Sequence, residues 1–314
     1  MILDLIRRRV VLVAGKGGVG RTTAVAALAA AAGRLGRRTL LVEVKEPAMP
    51  EASPLARLFG LDHLPHSPRK IAEGVEGVLL QCERGTELFL ASVLPVRALA
   101  HLAMRSQALL RLLHAGPSFY ELGLFYHLLS LVRSVDSHGR PHHETIFFDM
   151  PATGHALAMT ELPDVLLRLV PRGPIAAAMR EGQAIMNDPA HAAAVVVTLA
   201  EALPVTESLE LIAGLRRTNV PVAGVIANRL SRDPFTEAER GPLEDLLRGR
   251  AVLGASEVDR RRRVEESLAR IRRSVDVPIL GFDEQPHAEG RAVVDAIADR
   301  LVADAAAASG GEAA

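Results

Sequence analysis

Nine consecutive residues near the amino terminus carry the densest chemical signal in the chain: Gly15-Lys16-Gly17-Gly18-Val19-Gly20-Arg21-Thr22-Thr23. They follow the plan Gly-x-x-x-x-Gly-basic-Thr. Glycines let a backbone fold its N–H groups around a phosphate, and a helix opening directly after them adds the positive end of its dipole. In such a loop the Thr22 hydroxyl is placed to ligate Mg²⁺, and Thr23 can donate to a phosphate oxygen. The basic position, where lysine is expected, holds Arg21. A guanidinium keeps the charge, but its planar fork is wider than the ammonium for which such a cage is shaped. A second chemical segment is Phe147-Phe148-Asp149-Met150-Pro151-Ala152-Thr153-Gly154-His155. An apolar strand ending in Asp149 sets a carboxylate at the carboxyl edge of a sheet, where it can hold a Mg²⁺-bound water.

The elements around these residues are legible from periodicity. Val10 to Ala14 is a continuous β-branched and apolar run, as expected of a strand covered on both faces. Thr22 to Leu35 is an alanine-rich helix stopped near Gly36, and Thr39 to Val44 is the next strand. The opening is therefore one βαβ unit. Further strands are predicted at Thr145–Phe148, Ala193–Leu199, Val222–Ile226 and Val277–Leu280. Helices are predicted at Thr206–Arg217, Thr236–Arg248, Arg260–Arg273 and Ala288–Val302. This alternation predicts an α/β fold: a doubly wound, mostly parallel sheet with helices on both faces.

Residues 1–314 read as a single domain of this type, with a leucine-rich helical insertion at about 85–135 and a further helical segment at about 160–190. The insertion is either ordinary packing on the sheet or a movable subdomain holding an apolar groove. The small, polar tail 305–314 reads as frayed.

Composition removes several function classes. The 37 Lys and Arg balance 37 Asp and Glu, which argues against a general binder of nucleic acid or anionic lipid. A lone cysteine, Cys82, excludes an intrachain disulfide, a paired-thiol zinc clip and a three-thiolate arsenite site. The longest small-apolar run, 24–32, is too short for a membrane span. Arg7-Arg8-Arg9 and the five apolar residues after them run into the glycine loop instead of a cleavage site, so the expected location is cytoplasmic. Only Lys16, Lys45 and Lys70 occur among many arginines, which marks each lysine as a candidate for a specific task.

Lys16, two positions into the loop, makes the chain resemble the deviant phosphate-loop ATPases that dimerise across nucleotide. Within that group it is similar to the arsenical-pump and guided-entry ATPase family over nearly its whole length. The second segment, Asp149-x-Pro151-x-Thr153-Gly154-His155, is similar to that family's switch. The resemblance implies ATP and Mg²⁺ as cofactors, with Thr22 and Asp149 at the metal and Gly15, Gly17, Gly18, Val19, Gly20, Arg21, Thr22 and Thr23 around the phosphates. It implies that Lys16 crosses a dimer interface, that the Thr153-Gly154 backbone faces the γ-phosphate, and that His155 acts conformationally. Asn228, ending Gly224-Val225-Ile226-Ala227-Asn228-Arg229, takes the family's adenine-reading position, and Pro278 takes the place contacting the other adenine face. Pro204-Val205-Thr206-Glu207 is similar to the family's Pro-x-x-Glu motif, with Thr206 as the expected helix N-cap.

Two departures bear on hydrolysis. Arg21 is one. The other is the first switch: the family carries an Asp that orients water, and Lys45 aligns with it. A protonated lysine cannot accept from water, which leaves Glu43 or Glu46 as stand-ins, and Glu46 joins Lys16 and Arg21 as the catalytic candidates. Two functions remain open. One is a Mg²⁺-ATP-binding ATPase, switched as a dimer and acting on a macromolecular client, a hydrophobic protein being one candidate. The other is a non-hydrolysing subunit that binds nucleotide and completes a heterodimer with a paralogous ATPase.

Elsewhere, His138, His142, His143 and Glu144 form the one metal-like run. Adjacent histidines in a Gly- and Pro-containing loop rarely converge on one ion, so it is read as a solvated loop. The run Arg260–Arg263 has Asp259, Glu265 and Glu266 beside it and reads as a solvated helix face.

Overall fold

Strand β1 (Val10–Gly15) is buried along its full length at the centre of an eight-stranded sheet ordered β3-β4-β2-β5-β1-β6-β7-β8. The computed structural model describes residues 1–44, 53–93, 119–151, 153–231, 235–247, 253–285 and 288–311. The other strands are β2 (Thr39–Val44), β3 (Arg69–Ala72), β4 (Val75–Leu80), β5 (Thr145–Asp149), β6 (Ala192–Leu199), β7 (Val222–Leu230) and β8 (Ile279–Asp283). Every pairing is parallel except β3 with β4. The α/β, mostly parallel expectation is thus met, with one antiparallel edge strand added.

Helix α1 (Ile2–Leu5) precedes β1, and α2 (Arg21–Arg34) follows the glycine loop. In chain order the rest are α3 (Pro54–Leu58), α4 (Cys82–Val93), α5 (Phe119–Val132), α6 (Thr153–Leu169), α7 (Pro174–Asn187), α8 (Ala202–Arg217), α9 (Glu237–Leu247), α10 (Leu253–Ser274) and α11 (Arg291–Gly311). Two apolar cores result, one on each face of the sheet. One gathers α5, α6, α7 and α8 against Leu12, Val42 and Phe148; the other gathers α2 and α11 against Val11, Val13 and Phe147. The alternation of inward residues along β1 and β5 is what makes the sheet two-sided. Alanines carry α2 close to the strands: residues 24–33 are all buried.

Several boundaries differ from expectation, each for a local reason. Helix α8 begins at Ala202, so Thr206 is not the N-cap; its hydroxyl donates back to the Ala202 carbonyl at 2.9 Å, and Glu201 takes the cap position. Pro204 is tolerated because the first helical turn needs no N–H partner. Helix α10 starts at Leu253, ahead of the charged stretch used to recognise it. The tail read as frayed is helical to Gly311, because Ala305 buries itself in the α2–α11 core. Of the helical insertion, 85–93 and 119–135 are described as the ends of α4, α5 and the turn after them; 94–118 lies outside the described residues. Among the described residues no helix is long and apolar enough to cross a membrane.

Candidate functional site

The loop 15–20 leaves the carboxyl end of β1, and α2 opens from it. Gly18 and Gly20 have φ of 85° and 86°, the left-handed region that favours glycine. At Gly20 a second constraint applies: a Cβ there would lie 2.2 Å from Asn228 Nδ2. That amide donates to the Val19 carbonyl at 2.8 Å, so β7 braces the loop from its far side. The brace sits where β7 and β8 shift register and Arg229 takes a φ of 54°, rare for a residue with a side chain.

Asp149, at the carboxyl end of neighbouring β5, is buried and accepts two bonds from the start of α2. Thr22 Oγ1 donates to Oδ2 at 2.8 Å, and Arg21 Nε donates to Oδ1 at 2.6 Å. Arg21 is only 15% exposed and also reaches the carbonyls of Gly15 and Pro151 at 3.3 and 3.4 Å. The guanidinium therefore lies folded back across the carboxylate, under the loop. Helix α6 opens at Thr153, shortly after β5 ends at Asp149, so two helix amino termini, α2 and α6, stand at the same sheet edge. Both offer unpaired N–H groups to an anion.

The residues present fit a Mg²⁺-nucleotide. The hydroxyl and carboxylate that would serve the metal are already adjacent, and the glycine loop heads a helix of 14 residues. Beside it lies a cavity of about 330 Å³ lined by Gly20, Thr23, Asn228, Arg229 and the segment Asp283–Gln285, room enough for a base. Pro278 is not part of this cavity. It precedes β8, and its carbonyl accepts from Val225 N–H, roughly 10 Å along the sheet from Asn228.

Lys16 is half exposed, and its Nζ pairs with Glu207 Oε1 at 2.8 Å, within the same chain. His155, on the first turn of α6, meets Glu121 Oε1 at 2.9 Å through Nδ1 and packs edge-on against Tyr120. Both partners belong to α5, so the switch segment touches the helical insertion directly. Glu43 is committed elsewhere: its carboxylate accepts from Ser53 Oγ at 2.5 Å and from Leu55 N–H at 2.9 Å, capping α3. In this arrangement its carboxylate is engaged at the start of α3. Lys45, Glu46 and Ala152 lie outside the described residues.

Glu121 was not anticipated, although a signal existed. It is the single acid in the largely apolar 119–132 run, and a buried acid on such a helix needs a partner. The cavity-lining segment Asp283–Gln285 had no such signal.

A family model described as "Anion-transporting ATPase" matches residues 8–173. ATPase BagA of Mycobacterium tuberculosis is 30% identical over 227 residues, 70% of this chain, and a putative ATPase of Mycobacterium bovis matches equally. This chain covers 65% of the length of those relatives. ATPase GET3 of Podospora anserina is 29% identical over 168 residues, covering 52% of this chain and 46% of its own length.

Proposed function

Because the chain belongs to the anion-transporting ATPase family, we propose that it is a cytoplasmic Mg²⁺-ATP-binding protein that works as a dimer and passes its nucleotide state to a hydrophobic protein client. The observation that carries this is the 2.8 Å contact of Thr22 Oγ1 with Asp149 Oδ2, under a glycine loop at the head of α2. Bound Mg²⁺ would neutralise phosphate charge and polarise the bond to the γ-phosphate. Thr22 and Asp149 would hold it, the loop N–H groups and the start of α6 would cradle the phosphates, and Asn228 and the Asp283–Gln285 segment would flank the base. Removing the hydroxyl in Thr22→Ala should weaken Mg²⁺-dependent ATP binding at least tenfold, since one of few protein ligands is lost. Calorimetry giving equal affinities for variant and wild type would remove the assignment.

Dimerisation has a local requirement. Lys16 must leave Glu207 to reach a partner's phosphates, and an exposed pair of this kind holds by only about 0–1 kcal/mol. A triphosphate outcompetes it easily. The client reading is supported by α6. Its amino end stands at the phosphate edge, and its carboxyl end exposes Val165 and Leu169, four residues apart on one helix face, with Val170 following. The His155–Glu121 contact ties the same helix to α5. Hydrogen exchange across 85–135 should therefore change when ATP and Mg²⁺ are added, and His155→Ala should blunt that change. Protection that responds only in the loop would leave the insertion a static scaffold.

A second function is favoured by a specific contact. Arg21 occupies Asp149 from within, and Lys45 replaces the water-orienting acid, so a subunit that binds nucleotide without hydrolysing it, paired with a paralogous ATPase, fits the same site.

A further inference from the structure

At the amino ends of β2, β4 and β5, the edge opposite the phosphate loop, lies a cavity of about 470 Å³ lined by Glu76, His142 and His143 with Arg37, Arg38 and Lys70. A six-residue strand such as β2 spans about 20 Å, so this cavity is well separated from the nucleotide edge. The topology makes it. Glu76 is the second residue of β4, level with Leu40 of β2, while Thr39 pairs with Thr145, and His143 stands two residues before that strand. Side chains 67 residues apart thus meet over the start of β2.

We propose that Glu76, His142 and His143 form a transition-metal site of the Zn²⁺ class. One donor atom from each lies within 4.8 Å of the others. Tetrahedral zinc with bonds near 2.0–2.1 Å sets donors roughly 3.3 Å apart. Closing the remaining gap falls to His142, which is exposed, and Glu76, which is half buried; both can move without disturbing a core. His143 is fixed. It is 3% exposed, its Nε2 lies 2.8 Å from Glu76 Oε2, and its Nδ1 is buried with no hydrogen-bond partner. A buried ring nitrogen left unsatisfied carries a cost that ligation at that nitrogen removes. Two imidazoles with one carboxylate suit zinc, nickel or copper better than magnesium or calcium. Three protein ligands leave one position open toward the cavity, where Arg37, Arg38 and Lys70 would favour an anion or hydroxide.

Untagged, chelator-treated full-length protein titrated with Zn²⁺ in a calorimeter should bind one ion per chain, and Co²⁺ should give tetrahedral visible bands. His142→Ala, chosen because that side chain is exposed, and Glu76→Gln should each weaken binding at least tenfold, with unchanged circular dichroism. Asp149→Ala should leave the stoichiometry at one, separating this site from the nucleotide edge. No saturable binding by the wild type, or binding that survives either ligand substitution, overturns the proposal.

Discussion

Replacing Arg21 by Lys together with Lys45 by Asp should raise ATP turnover about 100-fold above that of the wild type, whose own rate should be slow. Phosphoryl transfer is governed by positioning and charge, and losing a single transition-state donor costs about 10²–10³-fold elsewhere. Arg21 is occupied: its guanidinium is held by Asp149 and the carbonyls of Gly15 and Pro151. Lysine lacks that fork, so its ammonium can reach the transferred group while releasing the carboxylate to the metal shell. Each single change should give less than the pair, because a released loop without an oriented water, or the converse, completes only half the arrangement. Brisk turnover by the wild type, abolished by Lys16→Ala, would show the arginine loop to be competent.

Asp149→Ala should destabilise the fold by about 3 kcal/mol and lower the melting temperature by roughly 6–12 °C. The loss is large because the partner stays behind. Arg21 would remain charged and mostly buried, with only the long contacts to Gly15 and Pro151 left. Replacing both members, Arg21→Met with Asp149→Leu, should recover most of the loss, since the uncompensated charge goes with its partner. A change under 1 kcal/mol for Asp149→Ala would mean that water reaches the pair and screens it as on a surface.

The parallel strands other than β4 were readable because each carries a continuous apolar run, and the phosphate loop because its glycines sit between such a strand and a helix. Strands β3 and β4 were missed. Arg69-Lys70-Ile71-Ala72 is a short polar edge, and Val75-Glu76-Gly77 interrupts its own apolar run, so neither has the pattern of a buried strand. That omission also hid Glu76. Read locally, His142 and His143 have only His138 and Glu144 for company, and the ligand that matters arrives from a strand 66 residues earlier. Arg21 was recognised as a departure from sequence alone. Its contact with Asp149 was not, because a segment pattern says which elements abut but not which way a long side chain folds.

The bond from Asn228 to the Val19 carbonyl has a consequence in time. Its two residues are 209 positions apart. On a ribosome adding about 5–20 residues per second, Asn228 is made some 10–40 s after the loop it braces. The glycine loop, written first, is finished only when β7 docks beside β6, and Gly20 is kept without a side chain for a partner that does not yet exist. Until then the growing chain holds the glycine loop without its finished shape, which it acquires late, together with the second half of its sheet.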